Sequence, residues 1–272
     1  MTKFMRVFLI GIGVFMLIYG AGLLMQQNWA TSIWMWPEAP PLSNIFISSI
    51  LAAIGLPAIW MGVSGEISAA RAASLNMITV AGGTGIYLFQ EAARQASALL
   101  TTYARIFVAL TILALGIYFY SRKFPFQSLQ PLPKLIRWSF AIFALFLMPW
   151  GFALTQAVPN VFPWPLAPDM SVVYGWIFLG AGVYFIHGFI WPGWQNGCGQ
   201  LLGFLIYDLV LIVPYFQLLL GNEWPENRTS LTIYLLVIVY SMFLSVYYLF
   251  IHPQTRLWDK DLFSPIEAAE PK

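Results

Sequence analysis

Eight apolar runs, each of about 18 residues or more, divide this chain, and they constrain its fold more than any other feature. They cover roughly residues 6–26, 43–64, 73–90, 104–121, 136–156, 171–191, 198–220 and 230–251. A helix rising 1.5 Å per residue crosses the ~30 Å hydrocarbon core of a bilayer in about 20 residues. Pro, Gly, Gln and charged residues punctuate the gaps. Composition agrees: 60% of residues are apolar, 9% are charged, and mean hydropathy is +0.74. Soluble domains carry about 25% charged residues. The expectation is therefore an all-α integral membrane protein of about eight transmembrane helices. The third run, SLNMITVAGGTGIYLFQE, carries several small or polar residues and suits a helix buried among others.

Lys3 and Arg6 precede the first run, as in a signal peptide. That run reaches nearly 20 residues and no clean A-x-A site follows it, so it reads as a span. With eight spans and an inside N-terminus, the inner side holds Lys3, Arg6, Arg71, Arg122, Lys123, Lys134, Arg137, Arg256, Lys260 and Lys272. The outer side holds Arg94, Arg105 and Arg228. This skew follows the positive-inside rule and places both termini in the cytoplasm.

WPEAPPLS at 36–43 and WPLAPDMS at 164–171 share five of eight positions at an offset of 128 residues. Both copies follow an odd-numbered span and open the next one. The chain thus divides into two tandem four-helix repeats, 1–133 and 134–255, with a polar cytoplasmic tail at 256–272. SRKFPFQSLQPLPK links the repeats on the inside. An even number of spans per copy gives both the same orientation, a parallel repeat.

Within the phrase, Trp36 and Trp164 stand where an indole prefers the headgroup boundary. The prolines stop a helix arriving from outside and stiffen the loop. Ser43 and Ser171 stand where a hydroxyl caps exposed N–H groups. Alternatively, the two loops form an outer contact surface with Trp34, Phe162 and Trp176.

The second copy, PWPLAP at 163–168, and more loosely WMWPEAP at 34–40, resembles a W-P-W-x-L-x-P pattern of uncharacterised bacterial multi-spanning membrane proteins. The first copy has Met35 where the pattern has Pro and Glu38 where it has Leu. The resemblance implies a bacterial inner-membrane protein and carries no activity.

Asp208 lies in CGQLLGFLIYDLVLIVPYF, about 11 residues from the inner end of the seventh span and so roughly 16 Å deep. A carboxylate there costs several kcal/mol unless protonated or paired. It reads as a proton, cation or transport site, as a cofactor contact, or as a neutral Asp hydrogen-bonded to a Tyr, Ser or Gln on a neighbouring helix. Gln200 and Phe204 share its helix face. Pro214, six residues on, can kink the span; Pro57 and Pro149 are the other prolines inside spans.

His187 and His252 stand near the inner ends of the sixth and eighth spans. Two facing histidines can hold a haem, and one can ligate a chlorophyll-type pigment. His187 is the better candidate cofactor ligand, which leaves a porphyrin-type pigment or lipid open as cofactor. Glu91 and Arg94 share a face at the end of span 3, with Glu66 and Arg71 a similar inner pair. ASALLTTYA between spans 3 and 4 reads as a helix continuing along the interface. Ala58 with Gly62, Ala81 with Gly85, and Gly199 with Gly203 repeat at i, i+4, a spacing that lets helices approach closely.

The sequence has no P-loop, G-x-G-x-x-G, H-E-x-x-H or C-x-x-C. Its single Cys excludes an internal disulfide, and a net charge of +2 gives no case for nucleic acid. Three functions remain. The first expectation is an accessory or scaffold subunit among other membrane subunits, in contact with lipid or pigment. The second is a transporter or channel for a small or lipophilic solute using Asp208. The third is a membrane enzyme or redox protein using Asp208 or His187, although no catalytic motif marks one.

Overall fold

The structure, a computed structural model, describes residues 2–125, 130–221 and 225–257. Lys260, Lys272, most of the tail and the centre of the linker at 126–129 lie outside the described residues. Among the described residues, eight helices are long and apolar enough to cross a membrane, as a multi-pass membrane protein requires. They are α1 Lys3–Leu24, α2 Pro41–Ser64, α3 Ala70–Gln95, α4 Ala98–Ser121, α5 Lys134–Thr155, α6 Pro168–Ile190, α7 Trp194–Gly221 and α8 Arg228–Val246. A 3-10 turn, Ile67–Ala69, leads into α3, and a π turn, Tyr247–Ile251, extends α8. No strand forms among the described residues; a lone bridge joins Pro131 to Gly193.

Local sequence sets the ends. Thr2 Oγ1 accepts from the Met5 N–H at 3.3 Å and opens α1; Ser97 Oγ does the same for α4 through Leu100 at 3.3 Å. Gly65, at φ 83°, ends α2 in the left-handed region that glycine adopts without cost. The Trp-Pro phrases work differently from expectation. Pro41 and Pro168 stand in the first turn of α2 and α6, where a missing N–H costs nothing, so they start helices. Neither serine caps: Ser171 Oγ donates to the Leu154 carbonyl at 2.9 Å, and Ser43 Oγ is buried without a partner. ASALLTTYA is no separate interfacial helix. The chain breaks at Ala96, φ 51°, and from Ala98 these residues form the first turns of α4.

Four sequential hairpins form: α1 with α2, α3 with α4, α5 with α6, and α7 with α8. Two further contacts join them, α2 with α7 and α3 with α6. Exchanging the first four helices for the last four leaves this set of pairings unchanged. Two rows result, α1–α2–α7–α8 and α5–α6–α3–α4, each holding one hairpin from each half. They meet where the Tyr174 hydroxyl on α6 donates to the Ser43 carbonyl on α2 at 3.3 Å, beside the Phe46 ring at 4.6 Å.

Arginines tie one end of the bundle. Arg6 donates to the Gly62 carbonyl at 2.9 Å and to Val63 at the end of α2; Arg137 donates to Phe189 at 3.1 Å at the end of α6. Arg71 donates to Ser121 and Phe124 at the end of α4. Each satisfies carbonyls that a helix end leaves without intrahelical partners. The opposite end is closed by aromatic rings. Phe162 and Trp164, from the loop before α6, sit edge to face at 4.5 Å within a cluster that includes Phe46, Tyr174 and Tyr215.

Candidate functional site

Three residues of one α7 face, Gln200, Phe204 and Asp208, stand at i, i+4 and i+8 and border a single cavity. Glycines bring α7 close to α2 here: a Cβ at Gly203 would lie 3.1 Å from the Ala53 carbonyl oxygen. The cavity measures about 750 Å³ and side chains of all eight helices border it. Small-molecule pockets run about 300–1,000 Å³. Aliphatic and aromatic residues dominate its wall, and no Lys, Arg or His stands among the described residues there.

Asp208 is fully buried. Its Oδ2 accepts from Ser241 Oγ on α8 at 2.8 Å, and its Oδ1 has no hydrogen-bond partner. Ser241 Oγ also lies 2.8 Å from the Val237 carbonyl and 3.1 Å from that of Ile238. One hydroxyl proton is thus shared among three acceptors, and the carboxylate is under-satisfied. Tyr207, next along α7, shares a hydroxyl–hydroxyl hydrogen bond with Tyr234 of α8, and both border the cavity. Gln200 Oε1 and Asn76 Oδ1 on α3 are buried without partners. Asn76 lies against Gly180 of α6, where a Cβ would come within 2.4 Å of its Oδ1.

The cavity reaches the flanks of the bundle. Between α5 and α8 it is bordered by Phe146, Leu236 and Tyr240, which are 51%, 65% and 42% exposed. Ser139 and Tyr240 share a 2.7 Å hydrogen bond across this seam. On the opposite flank, α1 contributes Ile12 and Met16, and α4 contributes Leu110 and the exposed Leu113.

The other expected site residues lie elsewhere. His187 is buried with its ring 4.7 Å from Trp191 and its Nδ1 unpartnered, and it does not border the cavity. His252 Nδ1 pairs with Thr255 Oγ1 at 3.1 Å. Among the described residues no three His, Cys, Asp or Glu side chains gather to hold a metal ion. Trp34 and Trp36 contact each other edge to face at 5.9 Å, half-buried in the loop between α1 and α2. Trp164 is 2% exposed, a core residue and not a loop-surface contact. Glu91 and Arg94 form the expected ion pair at 2.8 Å.

Sequence reasoning allowed Asp208 a serine partner on a neighbouring helix, as found, without singling out Ser241, and missed Asn76 and the Ser139–Tyr240 seam. An amide in a weakly apolar run was the one available signal for Asn76. Serines in apolar helices commonly bond their own backbone, which hides the one that also meets a carboxylate. Compared with known family models, with characterised proteins and with solved structures, the chain matches none.

Proposed function

We propose that this chain is a membrane carrier that admits a lipophilic molecule from the bilayer into its interior cavity and holds it beside Asp208. The observation that carries this reading is the combination of an apolar cavity reaching the flank of the bundle with one under-satisfied carboxylate on its wall. An intramembrane acid marks a functional site by default. The paired phrases, the exchange-invariant helix pairings and the equivalent arginines Arg6 and Arg137 support two tandem repeats of four helices, the construction of many transporters. Lys3, Arg6, Arg71, Lys134 and Arg137 collect at one end of the bundle, which supports a cytoplasmic location for that end and for both termini. A bacterial inner membrane is the location that the W-P-W resemblance implies. The test is purification from native membranes in mild detergent, with mass spectrometry of everything that comes with the chain. A lipophile bound in stoichiometric amount is the expected result; a chain with no lipophile held beyond the detergent overturns the reading.

A second reading, an accessory subunit, is favoured by α4. Only 11% of its most apolar window is buried, against 28–61% for the other spans, and its Ile112 and Phe119 are 64% and 59% exposed. Stoichiometric protein partners in the same preparation would support it, and their loss on replacing Ile112 with Trp would place them on α4.

A further inference from the structure

Resting on the carrier reading, we infer that the cavity selects lipophiles whose head group donates hydrogen bonds and bears no negative charge, a long-chain amine or alcohol class, with the head held by Asp208. Selection follows from what the wall can offer. Among the described residues bordering the cavity, Asp208 is the one acid, and no basic side chain stands there to pair with a phosphate or carboxylate head. Asp208 Oδ1 is a buried acceptor without a donor, and its Oδ2 shares a single serine proton with two backbone carbonyls. A donor entering the cavity supplies what this buried oxygen lacks, which removes the cost of leaving it unsatisfied. An anionic head would be buried with no basic side chain among the described lining residues to compensate its charge.

The buried amides do not reverse this. Asn76 and Gln200 also border the cavity with unpartnered oxygens, and either amide can turn to present its nitrogen. The amides thus favour neither sign, and the preference follows from the unpartnered Asp208 oxygen and from the lack of a basic side chain among the described lining residues. Gln200 stands eight residues before Asp208 on the same face, about 12 Å along the helix, which leaves an apolar stretch at Phe204 between two polar points. A ligand with one polar head and a long apolar body fits that pattern; a uniformly polar solute does not.

The full chain in lipid nanodiscs is labelled with a headless alkyl diazirine, and the labelled peptides are read by mass spectrometry. Fragment spectra assign the label to residues: those of α7 and α8 that border the cavity report it, and exposed Ile112 and Phe119 of α4, which do not border it although Leu110 and Leu113 of the same helix do, report lipid contact and serve as the reference. Dodecylamine, dodecanol, dodecanoic acid and dodecyl phosphate then compete for the label. The expected result is cavity labelling above the α4 reference, suppressed by the amine and the alcohol at concentrations about tenfold below those needed for the two anions. Asp208→Asn should narrow that gap while leaving the labelling in place. Equal competition by all four amphiphiles, or stronger competition by an anion, overturns the head-group inference and leaves the carrier reading standing. Cavity labelling no greater than at α4 overturns the carrier reading itself. Both outcomes are read on the unmodified protein, so a misfolded Asp208→Asn variant protects neither idea.

Discussion

Ser241 on α8 places its hydroxyl 2.8 Å from Asp208 Oδ2 on α7 while standing at the same distance from its own helix's Val237 carbonyl. The serine therefore does not depend on Asp208 for a partner. Replacing Asp208 with leucine removes a buried polar group and leaves Ser241 satisfied within α8. Substituting an apolar side chain for a buried polar one is often neutral or stabilising. The expected outcome for Asp208→Leu is a stability within about 1 kcal/mol of the unmodified protein, or higher, together with loss of amine binding. Thermal unfolding in detergent, followed by tryptophan fluorescence, measures the first part. A loss of stability well beyond that would make Asp208 a structural link between α7 and α8.

The seam between α5 and α8 is held in part by the bond between Ser139 and Tyr240, and Ser139 Oγ has a second partner in the Leu135 carbonyl at 2.8 Å. Tyr240→Phe removes the cross-seam bond and keeps the ring against Phe143. The stability cost should stay near 1 kcal/mol, the net worth of one neutral hydrogen bond. If lipophiles enter between these helices, the variant should take up a fluorescent alkyl alcohol from vesicles several times faster at unchanged equilibrium occupancy. Stopped-flow mixing reads this directly, and an unchanged rate would direct attention to the α1–α4 flank.

The span count, the approximate span positions and the burial of Asp208 are legible in the sequence because they depend on runs of composition, which a bilayer filters strongly. Partner choice among helices is not. In lipid, apolar side chains on all faces look alike, and contacts such as α2 with α7 are decided by where small residues allow close approach. The twin phrases also mislead by their likeness. One loop lies half-buried, while the other turns Trp164 inward because Phe46, Phe162 and Tyr215 offer rings at 6.4, 4.5 and 5.7 Å. The basic residues carry two meanings at once: Arg6, Arg71 and Arg137 bias orientation and also cap the even-numbered helices.

Two hairpins depend on paired glycines. A Cβ at Gly13 would stand 2.6 Å from the Gly55 carbonyl oxygen, and one at Gly175 would stand 2.6 Å from the Thr155 nitrogen and 2.7 Å from the Gly151 oxygen. The obstructing atoms are backbone, so the helices must separate. Gly13→Ala and Gly175→Ala should each cost about 1–3 kcal/mol. Gly11 and Gly116 have nothing within 4 Å, and alanine there should be neutral or stabilising by up to about 1 kcal/mol. Denaturant titration in one detergent compares all four variants; equal behaviour of the two sets would refute the packing argument.

The last prediction separates the two Trp-Pro phrases. Trp164 is 2% exposed and closes one end of the bundle, with its ring edge to face against Phe162 and Tyr215. Alanine there deletes an entire buried aromatic at the centre of a ring cluster, a change that typically costs about 3–5 kcal/mol. Trp36 is half-buried, against Trp34 and the edge of the core, so Trp36→Ala should cost at most about 2 kcal/mol. The same pair bears on the cavity. Phe46 links the Trp164 ring to Phe178 and Tyr207 of the cavity wall, so loss of the indole should loosen that wall, while loss of Trp36 should not. Unfolding midpoints and diazirine labelling of the α7 peptide, measured on both variants, give the comparison. Similar losses in stability and labelling for the two would mean that the repeated phrase serves one purpose in both places.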